Sequence, residues 1–259
     1  MLRALTYAMV AVLLLPLVVV VMTSFTTLGY VSFPPEGFTL RWYGEALRKQ
    51  EFLDSFYLSL GVAAVTAAGA TLLGTPVAVA TVRHRFPGRD LVTAFFMSPL
   101  VLPTVVIGIA LLQFYNRIGI GATAASLVLG HVIITTPYAI RLIAASLTGL
   151  DPSIERAARN LGAAPPRAFA AVTLPLIAPG IAAGAIFAFV TSFDNVTISV
   201  FLATPRMVTL PVRIYNLWDQ PIYPWLVAIC SLVILWTVLL IAVIERAVSV
   251  RGLFGGGDR

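Results

Sequence analysis

Residues 151–175 read DPSIERAARNLGAAPPRAFAAVTLP, a polar segment with helix-end chemistry on both sides of a glycine, inside a chain that is otherwise lipid-soluble. Asp151 can accept hydrogen bonds from the orphan N–H groups of a helix start, and Pro152 suits the first helical position. Glu155 falls in the first turn, where the helix dipole favours an anion, and Gly162 is a natural C-terminal stop. Pro165-Pro166 opens a second short helix that Leu174-Pro175 is expected to close. The segment therefore predicts two short, alanine-rich helices meeting at roughly a right angle, able to sit in a partner's groove. An ordinary solvated loop rarely combines caps, alanine pairs and a glycine at these spacings.

Working outward, the charges partition the chain. With 59% hydrophobic and 11% charged residues over 259 positions, the composition is that of a membrane protein and not of a soluble domain. Uncharged runs cover Ala4–Met22 and the intervals Asp54–Arg83, Asp90–Arg117, Arg117–Arg141, Arg167–Asp194 and Asp219–Glu245. Each is long enough for the roughly 20 apolar residues that span the hydrocarbon core. Six transmembrane helices are predicted. The first run is longer than a signal-peptide core and no A-x-A site follows it, so it reads as an uncleaved span. With the N-terminus inside, eleven of the 17 basic residues fall in cytoplasmic segments and six in external ones, which satisfies the positive-inside rule. The 151–175 segment is then cytoplasmic, as are both termini. The basic balance is a topology signal; no basic stripe interleaved with aromatics suggests nucleic acid.

Several features lie on or between the spans. Trp42 and Tyr43, after the helix-breaking Pro34-Pro35, could anchor an interfacial helix at headgroup level. The second span carries Gly61, Ala63, Ala64, Ala67, Ala68, Gly69, Ala70 and Gly74, small residues that let helices approach closely in lipid. The turn Arg83–Asp90 reads as a positive-inside anchor. Pro99, Pro103 and Pro137 should kink or interrupt the third and fourth spans. Broken backbone at membrane depth survives only in protein or against a wet cavity, so these prolines point to a pathway lining, with plain packing kinks as the alternative. Leu176–Gly180 opens the fifth span, the 204–225 loop is too long and aromatic for a simple turn, and the sixth span ends at Glu245-Arg246. Asp194 stands inside the fifth span, where a carboxylate is costly and points to function. From a helix start near Leu176, a rise of about 1.5 Å per residue puts it past the midplane on the external side. Thr191, Ser192, Asn195 and Thr197 could hydrogen-bond a passing polar solute.

Catalytic chemistry is missing from the sequence. The one lysine, Lys49, follows arginine, so there is no P-loop. His84 and His131 are too far apart for a histidine metal site, and no nucleophile arrangement is present. Cys230 is the single cysteine and reads as packing.

The 156–175 spacing resembles the EAA loop of ABC-importer permeases: Ala157, Ala158, Gly162, Val172, Leu174 and Pro175 occupy the family's positions, while Arg156 stands at the glutamate place with Glu155 one residue earlier. The patterns P-L-V-L-P, H-x(5)-P-Y-x(2)-R and SFDNVTISVFL, and F-T-L-x-W-Y in the first external segment, resemble spermidine/putrescine-type permeases. The resemblance covers Phe33 to Arg246. It implies an all-α membrane protein of six helices with the type I ABC importer permease fold and cytoplasmic coupling helices. Its divisions would be 1–54, a core domain at 55–247 containing the loop at 151–175, and a short cytoplasmic tail at 248–259. It also implies a place in a bacterial inner membrane, a second permease subunit (similar or identical), two cytoplasmic ATPase subunits that use ATP and Mg, and an external substrate-binding protein. No cofactor is expected on this chain. The coupling residues would be Glu155, Arg156, Ala157, Ala158, Arg159, Gly162, Leu174 and Pro175, and the substrate pathway Pro103, Ser192, Phe193, Asp194 and Asn195. Asp194 would either meet an ammonium-bearing solute or bond to the second permease. The solute class implied first is a polyamine, with opine, phosphonate or ferric ion as alternatives; a stand-alone ion-coupled carrier is the competing class.

Overall fold

The computed structural model describes the backbone of residues 2–217 and 219–254, and the side chains of residues 3, 5–217 and 219–242. Among the described residues the structure is helical, with one isolated bridge between Thr204 and Met207. The helices are α1 (Leu2–Thr23), α2 (Arg41–Arg48), α3 (Gln50–Arg83), α4 (Arg89–Met97), α5 (Thr104–Arg117), α6 (Ala124–Thr148), α7 (Pro152–Asn160), α8 (Pro165–Ala168), α9 (Leu174–Phe193), α10 (Thr197–Leu202), α11 (Leu210–Tyr215) and α12 (Pro224–Phe254). A 3-10 turn, Ser98–Leu100, follows α4, and a π-helical turn, Phe169–Thr173, joins α8 to α9.

Five helices are long and apolar enough to cross a membrane, within Leu5–Thr23, Gln50–Arg83, Ala124–Thr148, Pro165–Phe193 and Pro224–Ala242. The remaining charge-free run is not one rod: α4 with its 3-10 turn meets α5 at 102°, and the pair counted as one crossing makes six. Proline explains the bend. Pro103 cannot donate to a helical ladder, disfavours helix at the residue before it, and stands as the non-helical N-cap of α5. Pro137 behaves differently, because α6 runs unbroken through it and buries it. There Thr135 and Thr136 donate back to the carbonyls of His131 and Val132 at 2.8 and 2.7 Å, so neither hydroxyl takes the Ile133 carbonyl that the proline leaves without its N–H donor.

The chain forms two compact units. One comprises residues 1–54 and 213–259. In it α1 exposes apolar side chains along its length (Leu5, Val12, Leu13 and Leu15 among them), as a lipid-facing helix does. Trp42 is buried and its indole N–H donates to the Thr26 carbonyl at 2.7 Å. The Tyr43 hydroxyl lies 2.6 Å from Ser24 Oγ and 3.0 Å from Ser231 Oγ. These two aromatics thus tie α2 to the segment after α1 and to α12. Helix α12 continues past Arg246 to Phe254, and residues 255–259 of the expected tail lie outside the described residues.

The other unit, residues 55–212, is organised on α6. Leu127, His131, Thr135, Ala139, Ile143 and Leu147 recur every four residues and are fully or almost fully buried. Opposite them α9 presents Gly180, Gly184, Ala188 and Ser192, also at a four-residue step and buried. Two such rows interdigitate closely when one is built of small residues. A Cβ on Gly184 would come 3.2 Å from Ala139 Cα, and one on Gly180 would come 2.4 Å from Ser146 Cβ. On its other side α6 receives Gly74 of α3, where a Cβ would lie 3.2 Å from Ala139 Cβ. The small-residue face predicted for the second span is therefore real but one-sided: Ala63, Ala67 and Ala70 are buried, whereas Gly61, Ala64 and Ala68 are exposed.

Candidate functional site

Two places in the 55–212 unit gather the residues singled out by sequence. The first is the connection from α6 to α9. Asp151 caps α7, its carboxylate accepting from the Ser153 amide at 2.8 Å and the Ser153 hydroxyl at 2.6 Å. Those bonds hold its carboxyl below the usual range. The helix ends in a Schellman arrangement: Gly162 N–H donates to Arg159 O at 2.9 Å and Ala163 N–H to Ala158 O at 3.2 Å. Gly162 sits at φ +94°, a conformation in which a side chain is strained, and the space around its Cα is open. Leu161, just before it, is 91% exposed. Leu161 is therefore an apolar side chain held out on a rigid turn and not a core residue.

Glu155 is turned back into the fold. Its Oε2 accepts from Thr173 Oγ1 at 2.5 Å, which ties α7 to the π turn. Arg156 and Arg159, with Arg83 from the end of α3, line a neighbouring cavity of about 620 Å³ that Glu155 and Thr173 share. The second short helix is not closed at Leu174-Pro175 as its sequence suggests. It passes through the π turn straight into α9, with Pro175 in that helix's first turn. Proline lacks the N–H and crowds the carbonyl four residues back, and a widened π turn absorbs both defects without ending the helix. The fifth span accordingly begins before Leu176, and Pro179 lies inside it.

The second place is the break between α9 and α10. Asp194 is the C-cap of α9 and not a helical interior residue, and it is exposed. Among the described residues its carboxylate has no hydrogen bond or ion pair. Asn195 uses its side-chain oxygen to accept from the Ile198 amide at 2.8 Å, starting α10. Phe193 is buried, edge-on to Phe56 at 6.0 Å and stacked with Phe189 at 6.2 Å. Ser192 is buried with its hydroxyl 2.7 Å from His131 Nδ1. Ser192 to Asn195 thus form one cluster in which Asp194 alone offers an uncommitted charged group. Pro103 is exposed at the start of α5, within the other bend. The prolines' neighbourhood does hold a cavity of about 310 Å³, lined by Pro99, Phe95, Phe96 and Val132 among others. No local signal singles out Thr173, Leu161 or the part His131 plays here, whereas the α9 row of small residues is readable as G-x(3)-G-x(3)-A-x(3)-S. Among the described residues no cluster of histidine, cysteine and carboxylates could hold a metal ion.

Solved structures share this helical fold. The bacterial ABC transporter that imports the acidic polysaccharide alginate aligns with a TM-score of 0.77 at 16% identity, covering 94% of each chain. The MetNI methionine ABC transporter aligns at 0.62 and 20% identity over 76% of this chain and 93% of its own. At those identities the likeness is one of fold. Sequence supplies the rest: the putrescine transport system permease protein PotI of Escherichia coli (strain K12) is 36% identical over 226 residues, 85% of this chain and 80% of that one. The spermidine/putrescine transport system permease protein PotC of Shigella flexneri is 28% identical over 97% of this chain and 95% of its own. Residues 70–251 match the family described as the binding-protein-dependent transport system inner membrane component, and the chain belongs to that family. It is a multi-pass inner-membrane permease of an ABC importer and forms the pathway for a small polar solute; ATP is hydrolysed by a separate subunit. Membership removes the alternative of a stand-alone carrier.

Proposed function

We propose that the solute is a small organic cation of the polyamine class and that it meets Asp194 on its way through. The observation that carries this reading is the exposed Asp194 carboxylate at a helix break, without a partner among the described residues. Intramembrane ionisable groups are retained where they pair with something, and an ammonium group is the fitting complement. The relatives named for putrescine and spermidine transport support the same class. Asp194→Asn keeps the shape and most of the hydrogen bonding while removing the charge. In cells carrying the whole transporter, this variant should lower radiolabelled putrescine uptake by about 10- to 100-fold, the worth of a charge-assisted hydrogen bond. Complex assembly and basal ATPase activity should persist. Undiminished putrescine uptake would refute the assignment, and loss of assembly would make Asp194 structural.

The partner arrangement belongs to the same proposal: two ATPase subunits, a second permease similar or identical to this chain, and an external binding protein, with residues 55–247 as the transport core. Leu161 and Gly162 form the docking point, supported by Ala157 and Ala158 on α7 and by the Glu155–Thr173 bond. Both termini and the 151–175 connection are cytoplasmic in this reading, on the arginine bias. In a Cys230→Ser background, single cysteines at the exposed Arg85 and Arg206 positions test it. An impermeant thiol reagent applied to intact cells should label position 206 and leave 85 silent. The reverse pattern would invert the topology.

A further inference from the structure

His131 is the most completely engaged side chain in the 55–212 unit. It is fully buried on α6, with Nδ1 2.7 Å from Ser192 Oγ and Nε2 2.9 Å from Ser199 Oγ. Ser192 belongs to the last turn of α9 and Ser199 to the first turn of α10, so one ring touches both rims of the break. The proton count follows from the hydroxyls. Ser199 Oγ donates its single hydrogen to the Asn195 carbonyl at 2.8 Å, so towards the ring it can only accept. Nε2 therefore carries the hydrogen, and in the neutral imidazole Nδ1 is left to accept from the Ser192 hydroxyl. Both nitrogens are committed, which leaves neither free to ligate a metal.

We infer that His131 is a positioning residue: its neutral ring, protonated on Nε2, clamps Ser192 to Ser199 and so fixes the geometry of the α9–α10 break at which Asp194 is exposed. The surroundings are built for this. Asn195 caps α10 through Ile198 and takes the Ser199 hydroxyl on its carbonyl, so each side of the gap has a fixed hydrogen-bond partner. Gly130, next to the clamp, lets α10 lie against α6, since a Cβ there would come 2.7 Å from Leu202 Cδ1 and 3.1 Å from Ile198 Cγ2. An interrupted helix at membrane depth must have its polar groups met from within the protein. Here one side chain of a neighbouring helix joins the serine hydroxyls on the two rims, leaving the carboxylate between them uncommitted. The geometry stands by itself; its bearing on transport rests on the reading of Asp194 given above.

The test uses the whole transporter in cells and in vesicles, with putrescine as the solute. The triple variant His131→Leu, Ser192→Ala, Ser199→Ala removes all the polar side-chain atoms of the clamp together, and of their partners only the Asn195 carbonyl loses a donor, which keeps it foldable. It should assemble with its ATPase, yet its maximal putrescine uptake should fall about tenfold. His131→Gln, which can still donate towards Ser199, should regain part of that loss where His131→Leu alone does not. The direct readout is a cysteine at position 194 in the Cys230→Ser background, modified by a water-soluble thiol reagent. Its reaction rate should change about tenfold when the clamp is replaced. That measurement is independent of what Asp194 binds. An unchanged rate, or full uptake in the triple variant, overturns the clamp. A changed rate with Asp194→Asn still taking up putrescine normally upholds the clamp and overturns the solute assignment instead.

Discussion

Gly180→Ala should cost this protein most of its folded yield. The added methyl would meet Ser146 Cβ at 2.4 Å, Ser146 Oγ at 2.9 Å and the Leu142 carbonyl at 3.2 Å. The first two belong to a short side chain with no flexible far end to swing away, and the third is backbone. The only relief is for α6 and α9 to separate, and that would open the seam along which Gly184, Ala188 and Ser192 also pack. Overpacking of this kind typically costs about 1–3 kcal/mol, and in a membrane no hydrophobic drive between helices offsets it. Gly61→Ala is the matched control, since nothing lies within 4 Å of its Cβ position and the residue is exposed. That change should be neutral or slightly stabilising, alanine being the better helix former by about 1 kcal/mol. Thermal melting of detergent-purified protein should rank Gly180→Ala well below both the parent and Gly61→Ala. Adding Ser146→Gly removes the two shortest contacts and should restore much of the difference. Equal melting of the two single variants would show that the α6–α9 crossing is not the seam described.

The helices could be read from charge placement, and the reason is simple: lipid tolerates long uncharged runs and little else, so the spans announce themselves. Broken elements were only half legible. Pro103 was expected to interrupt its helix and does, because α5 starts afresh there. Pro137 and Pro175 carry the same local signal and yet interrupt nothing: α6 runs on through the first, and a π turn leads into the helix that carries the second. A proline reports a lost hydrogen bond; whether the helix ends depends on what nearby can replace it. Asp194 reads in the sequence as lying inside a helix, but that helix stops at Phe193. The terminator is Asn195, which competes for the Ile198 amide and starts the next helix. In the sequence His131 stands out only as a histidine too far from His84 to share a metal site. Its role emerges only when Ser192 and Ser199, 61 and 68 residues later, come within reach. Contacts of that separation follow from the antiparallel register of α6 and α9, which no local pattern states.

Gly162→Pro should abolish uptake while leaving membrane insertion intact. Gly162 adopts φ +94°, and proline is held near −65° by its ring, so the Schellman turn cannot form around it. The substitution also deletes the N–H that donates to Arg159 O at 2.9 Å, and redirecting the chain would break the Ala163 bond to Ala158 O. The damage should stay local, because no atom lies within 4 Å of the Gly162 Cβ position and the spans on either side pack elsewhere. What changes is the direction in which Leu161 is held out and the angle between α7 and α8. Gly162→Ala provides the graded comparison. It keeps the N–H and meets no steric obstacle, so it carries only the cost of a left-handed conformation, about 1 kcal/mol. The expected order for putrescine uptake and for co-purification of the ATPase subunit is therefore parent, then Gly162→Ala with a modest loss, then Gly162→Pro with neither activity. Leu161→Asp should resemble the proline variant in lost co-purification while retaining the turn, since it removes the exposed apolar contact and nothing else. If Gly162→Pro and Leu161→Asp both still recover the ATPase in full, the connection between α6 and α9 is not where the ATPase docks.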